Sequence, residues 1–76
     1  NMNKKLINKT LPILIEKVSK KSSDQWAGRT EGNAWVVFDK NNEKIKDIVD
    51  VKIMDAKGVT LFGDRVFDKE SKYEVN

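Results

Sequence analysis

Residues 25–38 of this chain, QWAGRTEGNAWVVF, decide the fold because they contain two short strand patterns joined by a tight turn. Residues 26–30 and 34–38 are rich in the aromatic and β-branched side chains that favour strands. Gly32 and Asn33 stand between them, and both tolerate the positive φ that tight hairpin turns demand. The stretch therefore predicts a β-hairpin.

The second strand of this hairpin has two different faces. Ala34, Val36 and Phe38 point one way, and Trp35 and Val37 point the other. We expect Phe38 to pack in the core, whereas the parity of Trp35 favours exposure.

A longer strand is predicted upstream, at Thr10–Val18, where Leu11, Ile13 and Ile15 alternate with the residues between them. Pro12 cannot donate to a sheet ladder, so it places this strand at a sheet edge or lies near the strand's own start. A helix is the alternative, but a proline in its middle would cost about 3 kcal/mol. We prefer the strand.

The downstream sequence predicts two more strands. Residues 48–55 alternate most clearly, residues 56–58 turn the chain, and residues 59–63 form the fifth strand. The charged segment from Asp64 onward is either a tail or a short closing element. Five short strands without a convincing long helix predict an all-β fold, a small five-stranded antiparallel barrel that closes its own edges.

The composition restricts the chemistry that this chain can perform. It has 76 residues, enough for one domain, and no cysteine or histidine. Disulfides, thiolate metal sites and iron–sulfur ligation are thereby excluded, and the usual general base is absent. We expect a non-catalytic monomer without metal or cofactor. No apolar run approaches the roughly 20 residues that span a bilayer, so we expect no membrane partner and a cytoplasmic location.

Basic and aromatic residues around the hairpin predict nucleic-acid binding. The net charge is only +3, but the positive excess lies in the first half of the chain, where basic residues outnumber acidic ones. If the first two strands pair, the loop 19–24 and Arg29 should meet at one rim, where their cations would neutralise phosphates. Hydroxyl and amide groups would reach sugar or base edges, and an outward tryptophan would stack a base. The predicted RNA-binding set is Lys17, Lys20, Lys21, Arg29, Thr30, Asn33 and Trp35.

Each member of this set also has a purely structural interpretation. A lysine-rich stretch is commonly a solvated surface, and Thr30 and Asn33 are at home in a turn. Trp26 favours the core over stacking, since aromatic rings supply the bulk of small cores. Gly28 and Gly32 indicate relief of backbone strain or close approach, not a phosphate-binding loop.

The motifs as a whole resemble a known family. Residues 10–16 (TLPILIE), residues 19–21 (SKK) and the Gly-Arg-Thr-Glu-x-Asn spacing of residues 28–33 resemble the opening of a TRAM domain. Residues 47–53 and 60–63 are similar to its closing strands. Among TRAM-bearing families the chain is most similar to the C-terminal domain of MiaB-type tRNA methylthiotransferases, which are radical SAM enzymes.

This resemblance implies a barrel of OB-like or SH3-like build that binds tRNA and presents it to the parent's catalytic radical SAM domain. It implies that Arg29, Thr30 and Asn33 face RNA, helped by Lys20 and Lys21. The parent's two 4Fe–4S clusters and S-adenosylmethionine would be held outside this chain. The alternatives are a protein-docking module, including that of the sister branch that modifies a ribosomal-protein aspartate, and the TRAM domain of an RNA uridine methyltransferase.

The termini complete the expected organisation. Asn1 precedes Met2, so we interpret residues 1–8 as a tag remnant or cleavage scar with a lead-in. Residues 9–66 would form the TRAM domain, and residues 67–76 a charged C-terminal tail.

Overall fold

The computed structural model describes residues 2–67, which fold into a closed barrel of five strands. A short 3-10 helix at Met2–Leu6 precedes it. The strands are β1 (Thr10–Val18), β2 (Gln25–Arg29), β3 (Trp35–Asp39), β4 (Ile48–Lys57) and β5 (Thr60–Arg65). The predicted tail lies outside the described residues apart from Phe67. No helix within residues 2–67 is long and apolar enough to span a membrane.

The strands follow each other around the barrel in the order β1-β2-β3-β5-β4. Four of the pairings are antiparallel, and the pairing of β3 with β5 is parallel. The predicted all-β barrel is confirmed, but the expectation of a wholly antiparallel one is wrong at this seam. A closed ring with an odd number of strands cannot alternate direction throughout, so one pairing must be parallel. The result is a five-stranded barrel of the OB type.

Alternating side chains of the strands fill the barrel. The buried core consists of Ile13, Ile15, Trp26, Val36, Phe38, Val51, Ile53 and Leu61. The inward parity predicted for Phe38 and the preference of Trp26 for the core are both confirmed. Pro12 pairs with Asp50 on β4, whereas pairing of β1 with β2 begins only at Leu14. A missing N–H is therefore tolerated near the start of β1, as one of the two sequence interpretations required.

Gly28 is required for close approach between β1 and β2. A Cβ atom at this position would lie 2.5 Å from the carbonyl oxygen of Leu14 and 2.6 Å from Cγ2 of Ile13. Gly32, in contrast, has only the hydroxyl oxygen of Thr30 within 4 Å of the corresponding point, at 3.8 Å. Gly28 therefore allows two neighbouring strands of the barrel to approach closely, whereas Gly32 lies in an open turn.

A buried carboxylate joins three separate parts of the barrel. Glu43, in the loop between β3 and β4, accepts hydrogen bonds from the indole Nε1 of Trp26 at 3.0 Å and the backbone N–H of Asn41 at 2.8 Å. Its second oxygen accepts from the guanidinium of Arg65 at the end of β5. Only 2% of the Glu43 side chain is exposed.

Two opposing effects act on the pKa of Glu43. Burial raises it, but hydrogen bonds from the backbone N–H groups of Asn41 and Glu43, from Arg65 and from Trp26 outweigh burial, so this pKa lies below its ordinary value. Glu43 is therefore a charged carboxylate with a structural role, because it links the β3–β4 loop to β2 and β5.

Candidate nucleic-acid interface

The outward side chains of three neighbouring strands lie side by side, because cross-strand partners share a face. Their registers define two adjacent rows. The first row consists of Ala27, Val37 and Phe62, and the second of Arg29, Trp35 and Thr60. Sequence-distant residues from β2, β3 and β5 thus form one continuous outer surface.

Much of this surface lines a groove of about 340 Å³, which we call the cationic groove. Its apolar floor and walls are Ala27, Trp35, Val37 and Phe62, and its polar lining is Ser19, Gln25 and Thr60. Four lysines complete the lining: Lys17 on β1, Lys20 and Lys21 in the β1–β2 loop, and Lys57 at the end of β4. A positive rim surrounds an apolar centre.

The electrostatic character of the cationic groove is uniform. Among the described residues that line it, the four lysines meet no aspartate or glutamate. Like charges gathered around a concave, partly apolar wall focus the local potential and raise the concentration of anions there. The groove is therefore built to attract a polyanion and to offer its flat groups an apolar contact.

A second groove of about 240 Å³ lies beside the first and has the opposite character; we call it the acidic groove. It contains Arg29, Thr30 and Asn33 from the predicted set, together with Glu16 and Glu31. Its apolar lining is Pro12, Leu14 and Ile48. Two carboxylates and one guanidinium face a ligand here, so this groove is a poorer site for phosphates.

The guanidinium of Arg29 is already engaged by the protein. Its Nε lies 3.3 Å from Oε2 of Glu16, and its Nη2 donates to Oε1 at 3.5 Å. An irregularity in the pairing of β1 with β2 between Ile15 and Lys17 places Glu16 where it reaches Arg29. Both side chains are partly exposed, at 40% and 31%, so the pair contributes at most about 1 kcal/mol to stability.

The ring of Trp35 connects the two grooves. The guanidinium carbon of Arg29 lies 4.6 Å from its centroid, and the ammonium nitrogen of Lys17 lies 5.0 Å away. Both distances are within the range of cation–π contacts. The exposure predicted for Trp35 is only partial, since cations cover part of its ring.

Thr30 and Asn33 shape the hairpin between β2 and β3. The hydroxyl oxygen of Thr30 accepts from the backbone N–H groups of Gly32 and Ala34, each at 3.1 Å. Asn33 has a left-handed φ of 70° and donates its N–H to the carbonyl of Thr30. The positive φ predicted for this turn is thus located at Asn33, while Gly32 does not have one. This geometry accounts for both residues as turn formers.

The expectation of a single rim requires correction. Lys20 and Lys21 precede β2, whereas Arg29 ends it, and a five-residue strand separates its ends by about 13 Å. The structure brings Lys17, Lys20, Lys21 and Trp35 together in the cationic groove and places the remaining three residues in the acidic groove. β1 and β2 do pair, but the two basic groups lie at opposite ends of that pairing.

Sequence reasoning missed seven lining residues of the cationic groove, among them Gln25, Lys57, Thr60 and Phe62. Alternation in the fifth strand was a usable signal, because it gives Thr60 and Phe62 one parity opposite to Leu61. Placing that face beside Trp35 also needed the parallel pairing of β3 with β5, which local sequence does not reveal.

Comparison with known proteins agrees with this architecture. A sequence profile of the TRAM domain matches residues 4–66. The chain is similar to tRNA-2-methylthio-N(6)-dimethylallyladenosine synthases: that of Bacteroides fragilis is 49% identical over 65 residues, 86% of this chain and 14% of the relative. That of Porphyromonas gingivalis is 47% identical over 64 residues, 84% of this chain and 14% of the relative.

A third such synthase, from Chloroherpeton thalassium, is 51% identical over 57 residues, 75% of this chain and 13% of the relative. The chain thus spans about one seventh of the length of these curated relatives. The similarity concerns one domain of much longer proteins.

Proposed function

Because the chain belongs to the TRAM domain family, as its motifs predicted, we propose that it binds RNA and anchors tRNA for a methylthiotransferase of which it is one domain. The observation that carries this proposal is the cationic groove on the face of β2 and β3. In OB-type barrels this face and the adjoining β1–β2 and β4–β5 loops bind oligonucleotides.

The groove supplies both parts of such binding. Lys20 and Lys21 from one end and Lys57 from the other can each neutralise a phosphate and release its condensed counterion. A peptide of acidic residues would pair with the lysines but would leave the apolar centre between them exposed to water. A ribose-phosphate chain with its bases satisfies both features.

Titration of tRNA at several salt concentrations tests the proposal. We expect log K to fall linearly with log salt, with a slope corresponding to about three to five neutralised phosphates. The variant Lys20→Ala/Lys21→Ala should weaken binding and reduce that slope by about 1.5 to 2.

The matched control is Lys4→Ala/Lys5→Ala, which removes the same charge from exposed residues outside the groove. Its effect on tRNA affinity should be several-fold smaller than that of the groove variant. Equal effects of the two pairs, or binding that is indifferent to salt, would contradict the proposed interface.

The chemistry of the proposed parent enzyme belongs to other segments. A chain without cysteine cannot ligate iron–sulfur clusters, and residues 2–67 contain no cluster of three residues suited to hold a metal ion. We propose that the two clusters and S-adenosylmethionine are bound by the parent's radical SAM domain, that this domain only positions RNA, and that the parent acts in the cytoplasm.

A second candidate function, docking onto the parent's catalytic domain, is favoured by the acidic groove. Its wall includes Ile48, which is 70% exposed, beside Pro12 and Leu14. Exposed apolar patches of this kind mark protein contacts. The variant Ile48→Ser should weaken association with the rest of the parent while leaving tRNA affinity of the isolated domain unchanged. Loss of tRNA binding by that variant would contradict this division of labour.

A further inference from the structure

The centre of the cationic groove carries an aromatic ring that the proposed phosphate contacts do not use. Phe62 lies on β5 with Val37 across the parallel seam and Ala27 beyond it. Ala27 is small and only 6% exposed, so it lies at the bottom of the groove. The only cation near the Phe62 ring among the described contacts is Lys57, at 5.9 Å, the outer limit of a cation–π contact.

Trp35 is less available than Phe62 as a stacking platform. Its ring is approached by both Arg29 and Lys17, at 4.6 and 5.0 Å. A base that stacked on Trp35 would have to displace these cations. Phe62 therefore offers the ring that a ligand can cover at lower cost.

We infer that the cationic groove takes an unpaired nucleotide, whose base stacks on Phe62 while its flanking phosphates contact the lysines at the two ends. This inference rests on the proposed function and names the substrate class of the same site. Base-paired RNA presents phosphates and hydroxyl groups while its base faces stay stacked inside the helix. A duplex would leave the apolar floor uncovered, whereas a single strand covers it.

The arrangement of charges agrees with this assignment. Lys20 and Lys21 adjoin one end of the apolar floor and Lys57 the other, so a strand crossing the groove meets cations before and after the stacked base. Asp55 pairs with Phe62 from β4 but does not line the groove. The residues that line the groove around Phe62 therefore include no carboxylate that would repel a phosphodiester.

The test compares a 12-nucleotide oligouridylate with a 12-base-pair RNA duplex at the same salt. Electrostatics alone favour the duplex, which has the higher charge density. We expect the single strand to bind at least about fivefold more tightly. Phe62→Ala should weaken single-strand binding about 5- to 150-fold and leave duplex binding unchanged. Phe62→Leu, which keeps apolar bulk at a partly exposed position, should lose most of the same preference.

Each outcome decides a separate question. Equal or tighter duplex binding, or single-strand binding that Phe62→Ala leaves unchanged, would overturn the stacking inference while the proposed RNA-binding function stands. Failure of oligouridylate, duplex and tRNA to bind at low salt would overturn both. Quenching of Trp35 fluorescence by oligouridylate, lost in Trp35→Phe with binding retained, would place the strand in this groove.

Discussion

Removing the carboxylate of Glu43 should destabilise the barrel more than any other single change of charge that we consider. Glu43→Ala leaves the guanidinium of Arg65 without its anion and the indole N–H of Trp26 without its acceptor. Loss of one partner of a buried ion pair costs about 3–5 kcal/mol. The side chain of Arg65 is 19% exposed, so water can partly replace the lost anion, and we expect the lower end of that range, about 3 kcal/mol.

The consequence for the folded population is large. A chain of this size has a free energy of unfolding of about 4–11 kcal/mol, so a loss of 3 kcal/mol is a substantial fraction. In a domain of 60–100 residues each kcal/mol shifts the melting temperature by about 4–8 °C. We therefore expect a decrease of at least about 12 °C in thermal melts followed by circular dichroism, and a matching shift of the urea midpoint.

A double-mutant cycle separates the ion pair from the packing around it. Glu43→Ala/Arg65→Ala should lose less stability than the sum of the two single variants, because no unpaired charge remains buried. Glu31→Ala, which removes a carboxylate from an exposed turn, is the control and should change stability by less than about 0.5 kcal/mol. Additive effects of the two single variants, or a decrease in unfolding free energy below about 1 kcal/mol for Glu43→Ala, would refute this structural role of the carboxylate.

The remaining predictions concern pH, a glycine and a charge. The pKa of Glu43 is lowered in the folded state, so the stabilisation by its carboxylate is complete above the ordinary carboxyl pKa of about 4.3 and is lost as pH falls through the lower folded value. The difference in unfolding free energy between wild type and Glu43→Gln should therefore shrink in acid. A difference that stays constant with pH would contradict this. Gly28→Ala should cost about 1–3 kcal/mol in urea unfolding, because its Cβ meets backbone at 2.5 Å, whereas Gly32→Ala should be nearly neutral; equal costs would disprove the close-approach argument. Glu16→Gln removes the carboxylate that pairs with Arg29 and so leaves this guanidinium available to a phosphate. RNA affinity should then rise about two- to fivefold, and the salt slope should steepen by about one phosphate. Unchanged or weaker binding would show that Arg29 takes no part in RNA binding.

Local sequence predicted the strands well because inward alternation leaves a period that can be read along the chain. β1 has the predicted bounds, and β2 and β3 differ from prediction by about one residue. Residues 64 and 65 extend β5, so the charged segment begins as a closing element. The parallel seam follows from closing an odd ring, which required the whole topology rather than any one segment.

The candidate site was predictable only where its residues are near in sequence. Lys17, Lys20 and Lys21 flank one turn and remain together, whereas Arg29 is separated from them by the length of β2. Its pairing with Glu16 depends on a local irregularity of β1 that no alternation pattern reveals. Phe62 lines the groove only because β5 pairs with β3, and these two strands are more than 20 residues apart in sequence.

Ligand binding in the cationic groove also depends on the parallel seam between β3 and β5. The apolar lining of the groove comes from Ala27 on β2, Trp35 and Val37 on β3, and Phe62 on β5, so it is continuous only across this seam. A ligand seated across the seam contacts both β3 and β5, so its binding energy stabilises the folded barrel against unfolding. Opening of that junction separates Phe62 from Trp35 and Val37 even if both hairpins stay intact, so release of the strand is coupled to release of the ligand.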